Sequence, residues 1–179
     1  MKPARIHAVR HISSVLPVAM QRIREQAGKP GERAAAQAPL WWVTIDGDDY
    51  VRELFDRHYS RQHYRDGRKP KLFLGPGEKL LLRTWECDAI FAWRKFIDAS
   101  GQTGVNCAIF RNESAHQSSE LICQADAVAD RIWPGERHYT YVDASKIRSA
   151  NPGCCFILAG WRRCGRTKGG LVILEKCHG

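Results

Sequence analysis

Two segments of the chain end in side chains that could take part in chemistry. The apolar run Val105–Phe110 leads into the polar corner Arg111–Ser118 (RNESAHQS), and an amphipathic pattern follows it. A second run, HYTYVD, alternates apolar and polar residues and ends at Asp143. In a strand, turn, helix and strand unit, the first helical amides face the carboxyl end of the first strand. The order predicts a ligand site at the corner, with Asp143 either as a nearby proton acceptor or as a turn-forming aspartate.

A basic segment that also carries aromatic rings precedes these runs. Arg57–Lys71 (RHYSRQHYRDGRKPK) interleaves cations with histidine and tyrosine, the mixture that nucleic-acid contacts use. A basic loop without a ligand is the alternative. Arg94 lies within another apolar run, IFAWRKF, where an unpaired charge would be costly. It is predicted to face a polar cleft or, alternatively, the solvent side of a half-buried strand.

Length and charge limit the class of protein. The chain has 179 residues, a formal net charge of +9 and a pI near 9.4. These values predict one domain at residues 39–179 and a polyanionic partner such as nucleic acid, although a merely soluble basic protein is the alternative. Residues 1–38 carry seven Lys or Arg and two Glu. They are interpreted as a basic, partly flexible arm that contacts phosphates or as a solvated tail.

The cysteines and the apolar runs bear on the compartment. Seven cysteines without a CxxC pair give no zinc signature, so no metal ligands are predicted and most are expected to be reduced thiols in the core. Neither a signal peptide nor a membrane span is evident. The cytoplasm is therefore predicted, without a membrane partner, and the oligomeric state stays open, a dimer included.

The remaining elements must position these residues. Leu40–Asp46 is predicted to be the first strand, and a helix with Val51, Leu54 and Phe55 on its buried face follows Asp48. Three apolar runs then predict consecutive antiparallel strands. After the corner, Ser118 or Ser119 is expected to cap a long helix whose apolar face is buried: Leu121, Ile122, Ala125, Val128, Ala129, Ile132.

The last part of the chain completes an α/β fold. HYTYVD is predicted to be a strand, and Asn151-Pro152 is expected to start a short helix, CCFILAGW, which is apolar enough to be buried. A hairpin with LVILEK as its second strand ends the chain. The prediction is an α/β domain with a mostly antiparallel, twisted central sheet flanked by helices.

This element order, together with the tail NPGCCFILAGWRRCG…GGLVILE, resembles the GNAT acyltransferase fold. The resemblance covers about residues 40–176 and implies acetyl-CoA or a related acyl donor as cofactor. It places Arg111, Ser118, Ser119 and Asn151 near that donor. GNAT enzymes hold the donor pyrophosphate with a glycine-rich turn, whereas the corner here has no glycine. Helix amides and the two serine hydroxyls would then have to bind the phosphates.

Several short sequence motifs, in the same order, also resemble those of the phage Mom-type DNA modification proteins, a divergent branch of that superfamily. These motifs are DRHYSR, IFAWRKF, VNCAIFRNES with SSELICQADAVADRIWPG, TYVD with KIRSANPG, and AGWRRCG. The resemblance implies an enzyme that transfers an acyl-type group to the N6 amine of adenine in DNA and so protects phage DNA from restriction. The cytoplasm would then be that of the host cell.

The same resemblance implies roles for individual residues. An adenine amine is a weak nucleophile, so Asp143 is the first candidate for the base and Tyr59 is expected to stack on an extruded adenine. The resemblance also implies a substrate contact at Arg94, and the basic segment with its aromatic rings predicts further substrate contacts at three positions: His58, Arg61, Tyr64. Two alternative functions stay open. One is a GNAT-like N-acetyltransferase for a small amine or a protein, and the other is a non-catalytic, basic nucleic-acid-binding module.

Overall fold

The chain forms an α/β structure with a seven-stranded mixed sheet. The computed structural model describes residues 39–61, 64–97 and 101–177, so the predicted arm at residues 1–38 lies outside the described residues. The strands are β1 Trp42–Thr44, β2 Glu78–Arg83, β3 Ala89–Lys95, β4 Val105–Asn112, β5 His138–Val142, β6 Arg162–Arg166 and β7 Val172–Lys176. The helices are α1 Arg52–Asp56, α2 Ser118–Ile132 and α3 Cys154–Leu158, and a 3₁₀ turn at Asp49–Val51 precedes α1.

The strand order is β1-β2-β3-β4-β5-β7-β6. Every neighbouring pair is antiparallel except β4 and β5, which run parallel. The α/β class, the three consecutive antiparallel strands and the closing hairpin are therefore confirmed. At one edge lies the three-residue β1, and at the other lies β6, all of whose residues are exposed.

Each face of the sheet has its own hydrophobic core, because successive residues of a strand point to opposite faces. Phe91 and Trp93 of β3 pack on the face that α2 and α3 cover, and the indole Nε1 of Trp93 donates to the carbonyl of Ala125 in α2, 3.2 Å away. Ile90 and Ala92 pack with α1 on the other face. Arg94 continues this second series along the strand.

Local predictions differ from the structure at two helix starts. The residue before α2 is Gln117, and Ser118 is already helical, so neither predicted serine is the N-cap. Gly153, with φ +80°, precedes α3, so the helix starts after Asn151 and Pro152 and has no side-chain cap. Only Phe156 of α3 is buried while Leu158 is 76% exposed, so the prediction of a fully buried helix was wrong.

The cysteines also differ from prediction. All seven lie in the described residues as free thiols, but Cys107 alone is buried, and three are exposed: Cys123, Cys164, Cys177. Cys164 lies on the edge strand β6, Cys123 points away from the buried stripe of α2, and Cys177 follows the end of β7. Most of these thiols are therefore not core residues. Within the described residues, no helix is both long and apolar enough to cross a membrane.

Candidate active site at the carboxyl ends of β4 and β5

The parallel strands β4 and β5 pair over only three residues and then part. The ladder ends at Cys107 and Thr140, although β4 continues to Asn112 and β5 to Val142. A change of register opposite Ala92 and Trp93 leaves Ala108 as an extra residue in β4, which is a β-bulge. An opening at the carboxyl ends of parallel strands is the position where α/β sheets commonly bind ligands.

The first turn of α2 lies directly after β4. Within the described residues, no side chain caps its N-terminus, so the amides of Ser118 and Ser119 point toward any acceptor placed outside the helix. The Asn112 side chain shapes the corner that leads to it: its Nδ2 donates to the Ser118 hydroxyl at 3.0 Å, and its Oδ1 accepts from the backbone and hydroxyl of Ser114. Ser118 and Ser119 therefore begin the helix whose first amides are the donors that the predicted anion site would use, and that site stays a prediction.

An ion cluster ties the end of α1 to the end of β4. Arg57 Nη2 lies 2.8 Å from one oxygen of Glu113, and Arg111 Nε lies 2.6 Å from the other. These hydrogen bonds, first that from Arg57 and then that from Arg111, lower the pKa of Glu113, and the cluster keeps its charge compensated. Arg111 also donates to the carbonyl of Arg57 at 2.8 Å. In this structure Arg111 therefore holds the corner together.

Tyr59 extends from the loop after α1 to β5. Its hydroxyl donates to the carbonyl of Tyr141 at 3.3 Å, beyond the last pair of the β4/β5 ladder. The residue is 40% exposed, and its partial burial is the main cause that raises the pKa of Tyr59. The phenol is protonated at neutral pH, and in this structure its one proton is directed to the Tyr141 carbonyl beside the opening. Cys107 and Cys155 are close enough to influence it.

His58 is buried beneath Tyr59, with its ring stacked on the tyrosine ring at 4.6 Å. The amide of Ser60 donates to His58 Nδ1 at 3.2 Å, so the ring proton is on Nε2, where it bonds the backbone of Phe110. Both nitrogens are thus occupied. The imidazole is thus an internal link between the α1 loop and β4, and the substrate contact at His58 stays a prediction that this geometry does not support.

This buried imidazole should make stability depend on pH. Burial, followed by the charge of Arg111, lowers the pKa of His58 from 6.5 to about 4. The unfolded chain binds the proton first as the pH falls, so stability is present above 6.5 and is lost as the pH falls toward 4. We expect the free energy of unfolding, measured by urea titration, to fall more steeply over this range in the wild type than in His58→Asn. Parallel curves for the two proteins would contradict this expectation.

Asp143 lies directly after β5, as predicted, and is part of a turn. Its Oδ1 accepts from the amide and the hydroxyl of Ser145, at 3.0 and 2.6 Å. The hydroxyl bond is the main cause that lowers the pKa of Asp143. A carboxylate with a lowered pKa remains ionised but is a weaker base. The turn-forming interpretation therefore has direct geometric support, while the catalytic one stays a prediction.

The other predicted substrate residues lie on the α1 face of the sheet. Arg61, Tyr64 and Arg94 line one cavity of about 390 Å³, together with Ala108 of the β-bulge. Arg94 thus lines a cavity rather than an open strand face, and its contact with a substrate stays a prediction. Arg61 is fixed by Asp56, whose Oδ1 lies 2.7 Å from its Nε.

Within the part of the chain that the structure describes, the Asn151 side chain contacts the closing hairpin and not the opening between β4 and β5. Its Oδ1 accepts from Arg163 Nη2 of β6 at 3.0 Å, and both residues line a cavity of about 500 Å³ beside the closing hairpin. Burial raises the pKa of Cys155 in α3, which keeps this thiol protonated. Within the described residues, no group of three or more potential ligands could hold a metal ion.

A buried polar network at the other end of β5 was missed by sequence reasoning. Asp126 of α2 is 2% exposed; its Oδ1 lies 3.0 Å from His138 Nδ1, and its Oδ2 accepts from Trp161 Nε1 and Lys176 Nζ, each at 3.0 Å. The available signal was a charged residue directly after Ala125 within the apolar stripe of the predicted helix.

Comparisons of the chain with protein-family models, curated proteins and solved structures gave no match.

Proposed function

We propose that this chain is a GNAT-like transferase that places an acyl-type group on the N6 amine of adenine in DNA. The observation that best supports a transfer site is the opening where β4 and β5 part, with the uncapped start of α2 beside it and the Tyr59 hydroxyl across it. The strand and helix order agrees with the order that led to the GNAT resemblance.

The residues at the corner fit the phosphate of an acyl donor. The uncapped amides of α2 and the hydroxyls of Ser118 and Ser119 are donors that suit an anion. Glu113 would repel a phosphate, but its carboxylate is compensated by Arg57 and Arg111. The lack of glycine in the corner is thus offset by a rigid turn that Asn112 organises.

The adenine amine is a weak nucleophile, so acyl transfer to it requires a base that removes a proton from the amine. An acyl donor, when bound, supplies the activated carbonyl. Tyr59 carries a proton that, turned from the Tyr141 carbonyl, it would give to the donor's leaving group as the bond from the carbonyl carbon to that group breaks and the bond to the amine nitrogen forms. Asp143, ionised at the end of β5, is the candidate acceptor for the amine proton. An adenine in a duplex would have to be extruded to reach these groups.

The function is tested by mass spectrometry of digested plasmid DNA from cells that express the chain. We expect a new adenine nucleoside of increased mass, which vector-only cells lack. An unchanged adenine nucleoside profile would contradict the proposal. DNA binding that weakens steeply as salt rises, without DNA modification, would indicate the non-catalytic basic binding module. The absence of both DNA binding and DNA modification would indicate a transferase for another acceptor amine.

A further inference from the structure

The cavity on the α1 face carries a charge that the protein does not neutralise. Phe55, Phe73 and Leu74 form apolar walls, and Arg61 and Arg94 bring two cations to it. Asp56 compensates Arg61 at 2.7 Å. Within the described residues, no carboxylate pairs with Arg94, and its buried Nε has no hydrogen-bond partner.

Two neighbouring residues accommodate the uncompensated charge of Arg94 without neutralising it. Its guanidinium lies 5.0 Å from the centre of the Phe96 ring, a contact that attracts a cation but does not neutralise it. Gly75 provides the space, because a Cβ at that position would lie 2.7 Å from Arg94 Nη1. Partial burial of a cation without a paired anion costs free energy. A ligand that supplies the anion would recover that free energy when it binds.

We propose that this cavity binds the phosphate group of a nucleotide, with Arg94 as the residue that pairs with it. A guanidinium forms paired hydrogen bonds with phosphate oxygens, and the apolar walls suit the adjoining sugar. The choice of a nucleotide rests on the proposed function, which takes DNA as the acceptor. Ser60 lines this cavity and directly follows Tyr59, so a phosphate held here would anchor the acceptor beside the segment that reaches the transfer site.

The faces of the aromatic walls are already occupied. Phe55 and Phe73 stack on each other at 4.4 Å, and Arg61 and Arg52 cover them from the two sides. Base stacking on these two rings is therefore not part of the proposal, and the phosphate is expected to dominate the affinity.

The test is calorimetric titration of the full chain with 5′-dAMP, deoxyadenosine and inorganic phosphate. We expect 5′-dAMP to bind, deoxyadenosine to bind much more weakly, and Arg94→Gln to weaken 5′-dAMP binding by about tenfold or more. Gly75→Ala, which displaces the guanidinium without removing its charge, should weaken binding similarly. Arg131→Gln removes an exposed charge at the end of α2 and should leave binding unchanged.

Other results would overturn the proposal. These are absent 5′-dAMP binding, equal affinity in Arg94→Gln and the wild type, or equal affinity for deoxyadenosine and 5′-dAMP. Since Arg94 is unpaired, Arg94→Gln should also keep or raise the thermal midpoint, which separates lost binding from lost folding. Binding needs no transfer, so Arg94-dependent binding in a chain that modifies no DNA would refute the proposed function alone. Unimpaired modification of DNA by Arg94→Gln would refute the cavity alone.

Discussion

Replacement of Tyr59 by phenylalanine should lower the rate of adenine modification by about a hundredfold or more, the usual contribution of a positioned proton donor. The hydroxyl is the group that carries a proton where β4 and β5 part, and it is protonated at neutral pH as in any tyrosine, with burial raising its pKa further. The measurement is the time course of the modified nucleoside in plasmid digests after induction. Tyr50→Phe, which removes the hydroxyl of a tyrosine that is 78% exposed, is the matched control.

A structural role alone would give a different result. The bond from Tyr59 to the Tyr141 carbonyl is 3.3 Å long, and its loss should cost only about 1 kcal/mol of stability. If Tyr59→Phe modified DNA at the rate of Tyr50→Phe, the hydroxyl would have no part in the transfer. The phenylalanine keeps the ring stacked on His58, so a large effect could not be assigned to lost packing.

Asp143 provides the comparison that this experiment needs. Asn at this position can still accept the hydrogen bonds from Ser145, but it carries no charge. If Asp143 is the base, Asp143→Asn should lose modification as Tyr59→Phe does while its thermal midpoint stays unchanged. Wild-type modification by Asp143→Asn would restrict this residue to the turn.

Replacement of Asp126 by alanine should lower the free energy of unfolding by about 3–5 kcal/mol, the usual effect of breaking a buried ion pair. The carboxylate is 2% exposed and accepts from Trp161 and Lys176 while it contacts His138. Its removal leaves these donors in a water-poor interior without that acceptor. Urea unfolding followed by tryptophan fluorescence measures the change.

The control for this prediction is an exposed ion pair. Asp66 contacts Arg68 at 3.2 Å with both side chains more than half exposed, so Asp66→Ala should cost less than about 1 kcal/mol. A similarly small loss in Asp126→Ala would mean that water or a rearranged neighbour replaces the carboxylate.

Periodicity determined much of what could be predicted. The alternation of apolar and polar residues identified the strands. The spacing of Val51, Leu54 and Phe55 identified the buried face of the first helical segment, and all three residues are buried. It could not reveal the β-bulge at Ala108 or the point where β4 and β5 part, because both depend on pairing between strands distant in sequence. The burial of His58 likewise depends on the distant strand β4.

The candidate site was predictable only in part. Asp143 follows its strand as expected, but its hydrogen bonds with Ser145 belong to local turn geometry that the word TYVD does not specify. Asn151 turned toward Arg163, since β6 folds back beside it. Arg94 was expected at a cleft, yet the space that admits it depends on the missing side chain of Gly75, about twenty residues earlier in the chain.

The exposed edge strand β6 also affects how copies of this chain meet. An unpaired strand edge can recruit another strand and start aggregation. Here that edge carries Arg162, Arg163 and Arg166, and each of them is exposed. A second copy that added its own β6 would bring like charges face to face, so edge-to-edge growth of the sheet is opposed by repulsion. Within the described residues, the arginines of β6 are therefore expected to oppose assembly of this protein through that edge, although Glu175 partly compensates Arg162.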